Sequence, residues 1–115
     1  MVRGNRMEIV IDNNKIKLKE KIISFNNSIE SVLQFEEYII VLLMNDIIPD
    51  NNVEAFDYNG NRFWNISDII KLEYPEAYVS ICKETDNSFG ITSYNGITYV
   101  IDTKTNNVID KSVRK

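Results

Sequence analysis

The stretch NVEAFDYNGNRFWNI, residues 52–66, places a two-residue turn between two apolar runs. Asn59 and Gly60 form the turn, and both residue types tolerate the positive φ that a type I′ hairpin requires at its two central positions. The run before the turn ends on Asp57, and the run after it contains Trp64. The pattern therefore predicts a β-hairpin.

Turns of the same kind recur along the chain. Paired turn residues separate short apolar runs at Asn13-Asn14, Asn26-Asn27, Asn95-Gly96 and Asn106-Asn107. Runs of this length with turn residues between them are typical of antiparallel hairpins. We therefore predict an all-β fold, an antiparallel meander of about ten strands.

The hairpin is also half of an internal repeat. NNVEAFDYNGNRFWNI aligns with NGITYVIDTKTNNVID so that Asp57 matches Asp102, 45 residues later. Two further strand-like runs precede each segment, so each repeat has the length of a four-stranded meander. We predict two four-stranded sheets, from residues 29–66 and 77–111, packed as a sandwich or partial barrel, with the 7–25 hairpin covering an edge.

The repeats resemble the blades of quinoprotein-type β-propellers. The shared pattern is an apolar or aromatic run, an Asp, a turn with Gly, and then an apolar residue and Trp. VEAFDYNGNRFW fits this pattern, and ITYVIDTKTNNVI fits it without the Gly or the Trp. The resemblance implies blade-like meanders. A closed propeller needs about four blades or more, so no cofactor is carried over to these two copies.

Individual runs give finer expectations. EYIIVLLM lacks alternation, which predicts a central strand buried on both faces, whereas KIKLKEKI has one lysine-rich face, which suits an edge strand. SDIIKLEY begins with Ser67, an N-cap type, and predicts one short helix over Ser67 to Ile70. The parity of RFWNI places Trp64 and Ile66 in the core and leaves Phe63 and Tyr58 partly exposed.

At 115 residues the chain has the length of one domain, with residues 1–6 as a polar leader and 7–115 as the β domain. The single cysteine, Cys82, excludes an internal disulfide and is expected to be a small buried side chain in a reducing compartment. No secretory-type or membrane-spanning run is present in the sequence. We expect a cytoplasmic protein that does not bind membranes, and the abundance of Ile, Asn and Lys suggests a low-GC bacterium.

The formal charge of −4 is unevenly distributed. Residues 1–21 contain six basic and three acidic side chains, a net of +3, and residues 30–102 contain thirteen acidic and three basic ones, a net of −10. An acidic domain repels phosphate backbones, so we expect no nucleic-acid ligand. The same field attracts a basic protein and speeds its association.

Residues 57–68 also carry a calcium-like spacing of oxygen ligands. Asp57, Asn59, Asn61 and Asp68 occupy the first, third, fifth and twelfth positions of such a loop. The sixth position requires Gly and holds Arg62, whose charge opposes a cation. We therefore interpret the stretch as a hairpin and expect neither a metal nor a cofactor.

Most catalytic chemistry is absent from the composition. The chain has no histidine and one cysteine, which excludes histidine-dependent triads and Cys–His nucleophiles. Paired-carboxylate hydrolysis remains open for Asp57 with Asp102, Glu54 or Asp110. Asp at a strand end commonly bonds its own turn, so we expect no enzyme.

The leading hypothesis is a non-catalytic protein-interaction domain whose partner is a basic protein. Its candidate binding residues are loop acids: Glu36, Glu37, Asp46, Asp50 and Glu54. A small acidic bacterial protein of this kind is similar in general character to the immunity proteins paired with toxins. The alternatives are a small-ligand or glycan-binding domain that uses Tyr58, Tyr94 and Tyr99, or a carboxylate hydrolase. A homodimer is also compatible with the charge distribution.

Overall fold

A computed structural model of the chain describes residues 8–44, 50–72 and 75–113. These residues form three antiparallel sheets and one 3₁₀ helix, Ile66–Asp68, which confirms the predicted all-β fold. The strands of the first sheet are β1 (Val10–Asp12), β2 (Lys15–Lys17) and β3 (Ile22–Ser24). The second sheet contains β4 (Ile29–Gln34), β5 (Tyr38–Leu43), β6 (Val53–Asp57) and β7 (Arg62–Asn65). The third contains β8 (Tyr78–Thr85), β9 (Ser88–Ser93), β10 (Ile97–Asp102) and β11 (Val108–Val113).

The second and third sheets are the two predicted repeats. Each is a four-stranded meander whose strands lie in chain order, β4-β5-β6-β7 and β8-β9-β10-β11. Asp57 ends the third strand of one sheet, and Asp102 ends the third strand of the other. The sequence alignment of the two aspartates is therefore also a structural equivalence.

The second sheet is the middle of three layers. One core cluster joins its inner face to the third sheet, through residues that include Trp64 and Phe89. A second cluster joins its other face to the first sheet and includes Ile16 and Phe56. The expectation that the 7–25 hairpin covers an edge is wrong, because both faces of the second sheet are apolar and the first sheet covers the face that remains.

The middle position of the second sheet explains the continuous apolar run of β5. β5 is buried along both faces except at its last residue, as predicted for a central strand. β2 was predicted to be an edge strand, but it lies between β1 and β3. Its alternation is nevertheless as expected, with Ile16 and Leu18 buried while Lys15 and Lys17 are exposed.

Four of the five paired turns connect adjacent strands of one sheet. Only one residue of each pair has a positive φ, namely 58° at Asn13, 90° at Gly60, 92° at Gly96 and 61° at Asn106, so the expected type I′ geometry, which requires a positive φ at both central positions, is not adopted. The pair Asn26-Asn27 instead joins β3 of the first sheet to β4 of the second. The prediction of a hairpin at that pair is wrong, because the chain there passes from one layer to the next.

The short helix follows β7 directly. Its N-cap is Asn65, whose side-chain oxygen accepts from the Ser67 N–H, while Asp68 accepts from the Asn65 N–H. Ser67 is therefore not the cap that its residue type suggested. Trp64 and Ile66 are buried and Phe63 is 52% exposed, as predicted from their parity. Nowhere in the described part of the chain is a helix long and apolar enough to cross a bilayer.

Cys82 is exposed, which corrects the expectation of a buried thiol. It pairs with Gly90 on the outer face of the third sheet, whereas the adjacent Ile81 points into the core. Its Sγ donates to Glu84 Oε2 at 3.2 Å. The cysteine is outside because none of the described residues forms a layer over that face.

Candidate functional site

Turns from both repeats line a half-open cavity of about 360 Å³ at one end of the sheets. We call it the acidic cavity, because its lining includes three carboxylates together with a buried tyrosine: Glu36, Glu37, Asp86 and Tyr38. Phe35, Asn87, Thr103 and Lys104 complete the lining. The carboxylates come from the β4–β5 and β8–β9 turns, which are the first turns of the two repeats.

Local hydrogen bonds fix these turns. The Phe35 N–H donates to the Tyr38 carbonyl at 2.9 Å, which leaves Glu36 and Glu37 at the tip of the β4–β5 turn. The Thr103 N–H donates to the Asn87 carbonyl at 2.8 Å and ties the β10–β11 turn to the β8–β9 turn. The β4–β5 turn is therefore closed by its own hydrogen bond, and the β8–β9 turn is linked through the backbone to the β10–β11 turn.

The equivalent aspartates close their own turns. Asp102 Oδ1 accepts from the Lys104 and Thr105 N–H groups at 2.8 and 2.9 Å. Hydrogen bonds from the backbone of Thr105 and Lys104 hold the pKa of Asp102 below its ordinary value.

Asp57 Oδ1 accepts from the Asn59 and Asn61 N–H groups, both at 2.9 Å. Partial desolvation raises the pKa of Asp57, but these hydrogen bonds, led by the one from Asn61, outweigh it and lower the pKa. The hairpin interpretation of residues 57–68 is confirmed. Within the described ranges, no three His, Cys, Asp or Glu residues are grouped to hold a metal ion.

Tyr38 carries the most unusual polar group of the cavity. Its residue is 6% exposed, and its hydroxyl is buried without a hydrogen-bond partner among the described residues. Thr103 lies near the hydroxyl but not in hydrogen-bonding geometry. Burial, followed by the negative charge of Asp102, raises the pKa of Tyr38 to about 12.

Two lysines lie close to the cavity but form no salt bridge with its carboxylates. Lys83 Nζ sits 4.6 Å from the centroid of the Phe35 ring and donates to the Gln34 carbonyl at 3.1 Å. Lys104 is exposed at the cavity lining. Across residues 8–44, 50–72 and 75–113, the single salt bridge joins Arg62 to Glu54, so the cavity carboxylates form none there.

The five candidate acids predicted from sequence do not form one cluster. Glu36 and Glu37 lie at the acidic cavity. Glu54 lines a polar cleft of about 470 Å³ elsewhere, and its carboxylate is already engaged by Arg62 at 2.8 Å. Asp50 adopts a φ of 62° in the β5–β6 connection, and Asp46 lies outside the described residues.

Sequence reasoning did not assign Tyr38 and Asp86 to this site. The internal repeat could have predicted the position of Asp86, because the β8–β9 turn is the counterpart of the turn that carries Glu36 and Glu37. No local signal marks Tyr38, since its sequence context predicts an ordinary buried strand residue.

The three tyrosines of the glycan hypothesis do not converge. Tyr94 is 75% exposed, whereas Tyr99 is buried in the core between the second and third sheets. Tyr58 packs between the first and second sheets and donates its hydroxyl to the Phe35 carbonyl at 2.6 Å.

Comparison with known proteins identifies a family whose function is not known. A family model described as a domain of unknown function (DUF7957) matches residues 6–113. A search of curated proteins found no match. The match spans the first sheet as well as both repeats.

Proposed function

The chain belongs to the DUF7957 family, and we propose that it is a non-catalytic protein-interaction domain that binds a basic partner protein through the acidic cavity. One observation carries the proposal. Turns of two different sheets bring Glu36, Glu37 and Asp86 together, and these carboxylates form no salt bridge with any described residue.

Such an arrangement favours fast association. Carboxylates that outnumber the nearby lysines at one end of a domain create a field that steers a basic surface towards that end. Their turns are held by backbone hydrogen bonds, so little conformational entropy is lost when a partner binds. The net charge of the region between residues 30 and 102 extends the same field over most of the chain.

The specific form of the proposal is an immunity-type inhibitor of a basic toxin in the bacterial cytoplasm. A small acidic domain that covers a basic active surface needs no catalytic group of its own. Its support is the general character of the chain together with the position of the acidic cavity. A basic toxin encoded by the neighbouring gene would identify the partner directly.

The test is the rate of association with the purified product of the neighbouring gene, measured over a range of salt concentrations. We expect Glu36→Lys, Glu37→Lys and Asp86→Lys together to slow association by about tenfold or more at low salt. The matched control has the same change in net charge at exposed acids away from the cavity: Glu8→Lys, Glu30→Lys and Asp110→Lys. Equal slowing by the two triple variants would mean that net charge, rather than the acidic cavity, determines binding.

A second candidate function is the binding of a small polar ligand in the other cleft. Asn26, Asn51, Glu54, Ser67 and Asp68 line that cleft of about 470 Å³, which is large enough for a saccharide. A thermal shift with simple sugars that Asn51→Ala abolishes would support it. No shift with any sugar, together with partner binding at the acidic cavity, would exclude it.

A further inference from the structure

We propose that Asn95 is a site of spontaneous deamidation through a succinimide with Gly96, and that the carboxylate of Asp57 protects Asn59 from the same reaction. The inference is independent of the proposed function. Its starting point is a tripeptide, Tyr-Asn-Gly, that occurs twice in the chain, as residues 58–60 in the β6–β7 turn and as residues 94–96 in the β9–β10 turn.

The two turns have similar main-chain geometry. The Gly60 N–H donates to the Asp57 carbonyl at 3.1 Å, and the Gly96 N–H donates to the Ser93 carbonyl at 2.9 Å. The φ values of the two glycines are 90° and 92°. The asparagine before each glycine is exposed. Because sequence and backbone match, a difference in reactivity between the two sites must come from the groups around each turn.

Each turn contains the two groups that deamidation requires. The glycine nitrogen gives its proton to solvent and attacks the Cγ atom of the preceding asparagine, so an N–C bond forms. The bond from Cγ to Nδ2 then breaks, and the amide nitrogen takes up a proton and leaves as ammonia. Water opens the five-membered succinimide at either carbonyl, which gives aspartate or isoaspartate. Glycine favours ring closure because it has no β-carbon to obstruct the attack.

Asp57 restrains the first turn. Ring closure rotates the peptide between asparagine and glycine out of the turn, and the Oδ1 atom of Asp57 accepts from the Asn59 and Asn61 N–H groups on either side of that glycine, at 2.9 Å each. Hydrogen bonds to a charged acceptor are stronger than those between neutral groups. The carboxylate also repels the negative charge that develops when the Gly60 nitrogen loses its proton. Lys21 packs on the same turn, since a β-carbon at Gly60 would lie 3.3 Å from Lys21 Cγ.

The second turn lacks this protection. Ser93 occupies the position of Asp57, and its hydroxyl accepts from the Ile97 N–H at 3.3 Å. Within the part of the chain that the structure describes, neither the N–H nor the side chain of Asn95 has a hydrogen-bond partner. Ser93 is neutral and does not repel a negative charge on the Gly96 nitrogen. Asn95 can therefore reach the reactive geometry at a lower cost than Asn59.

The reactive turn is remote from the acidic cavity. In an antiparallel meander the β9–β10 turn lies at the opposite end of the sheet from the β8–β9 and β10–β11 turns. Deamidation adds one negative charge there, and the isoaspartate product also adds a methylene group to the main chain. Conversion of Asn95 therefore leaves Glu36, Glu37 and Asp86 in place, so this proposal and the proposed function are tested separately.

The test is the rate of conversion at Asn95 and Asn59 in folded protein incubated at pH 8 and 37 °C, measured by mass spectrometry of digested samples. Fragment ions assign each site, and a sample digested without incubation corrects for conversion during digestion. We expect Asn95 to convert about tenfold faster than Asn59, the effect on a rate of one additional hydrogen bond to a charged group. Equal rates, or faster conversion of Asn59, would overturn the proposal.

Two controls separate the folded turns from the sequence. In guanidinium chloride, where the chain is unfolded, the two Tyr-Asn-Gly segments should convert at nearly the same rate. A difference that persisted in the unfolded chain would show that the turns do not cause it.

Asp57→Ser gives the first turn the residue that the second turn has. It should raise the rate at Asn59 towards that of Asn95 and leave Asn95 unchanged. An unchanged rate at Asn59 in the folded variant would overturn the role of the carboxylate. The comparison of the two sites in the wild type does not depend on whether Asp57→Ser folds.

Discussion

The indole of Trp64 lies nearly parallel to the ring of Phe89, with 5.9 Å between the ring centroids and 9° between the planes. Trp64 belongs to β7 of the second sheet and Phe89 to β9 of the third, so the stack joins the two repeats. Both side chains are buried in the same core cluster. The second repeat lacks a Trp at the aligned position, so the contact between the repeats is not symmetric.

Trp64→Ala should therefore lower the free energy of unfolding by about 3–5 kcal/mol, the usual cost of truncating a large buried aromatic. Urea denaturation followed by circular dichroism measures this loss, because the chain has no other Trp to report by fluorescence. Phe63→Ala is the adjacent control, and its half-exposed ring should cost less than half as much. Equal losses would show that the Trp64–Phe89 stack does not hold the repeats together.

Asn52 fastens the second sheet to the third through its side chain. Its Nδ2 donates to the Leu43 and Tyr78 carbonyls at 2.9 Å each, and its Oδ1 accepts from the Tyr78 N–H at 3.1 Å. Asn52→Ala leaves buried backbone groups of Tyr78 unpaired, so we expect a loss of about 2–3 kcal/mol in unfolding experiments. Asn95→Ala, in an exposed turn, is the control and should cost less than 1 kcal/mol. A tolerated Asn52→Ala would contradict this role.

The turn aspartates predict a dependence of stability on acid pH. The folded pKa of Asp57 is lowered. Its contribution to the free energy of unfolding is therefore fully present above the unfolded pKa, about 3.9, and is lost as pH falls through the folded pKa. Asp57→Asn keeps a side-chain oxygen for the turn but removes the titration. The difference between its unfolding free energies at pH 7 and pH 3 should be smaller than that of the wild type.

Asp102→Asn should act in the same direction, because the pKa of Asp102 is also lowered. Glu30→Gln, at an exposed strand residue, is the control and should reproduce the wild-type difference. If the two Asp variants lost as much stability in acid as the wild type, the turn hydrogen bonds would not depend on the charge of these carboxylates.

Turn chemistry was predictable from sequence because it is local. Gly60 and Gly96 require no knowledge of distant residues, and the repeat of such turns was enough to predict the two meanders. The position of the first sheet was not predictable, since Asn26-Asn27 has the same composition whether it folds back within a sheet or passes to another layer. Exposure of Cys82 likewise depends on whether a further layer covers that face.

The acidic cavity was predictable only in part for the same reason. Glu36 and Glu37 were identified as loop acids, but a cavity forms because the third sheet brings Asp86 to them. Layer packing is a tertiary relationship that alternation within one strand does not encode. The lack of a hydrogen-bond partner for the Tyr38 hydroxyl among the described residues could not be predicted from the sequence at all, because it depends on which polar groups the neighbouring turns present.

Tyr38→Phe should leave the free energy of unfolding unchanged or raise it by about 1 kcal/mol, because it removes a buried hydroxyl that has no partner among the described residues. The folded pKa of Tyr38 is raised to about 12. Its contribution to the free energy of unfolding is therefore fully present below the unfolded pKa, about 10, and is lost as pH rises through 12. The wild type should therefore lose more stability than Tyr38→Phe between pH 8 and pH 11.5, measured by urea denaturation. Tyr94→Phe, at an exposed ring, is the control and should match the wild type at pH 8. A loss of more than about 1 kcal/mol in Tyr38→Phe at pH 8 would mean that the hydroxyl already has a stabilising partner.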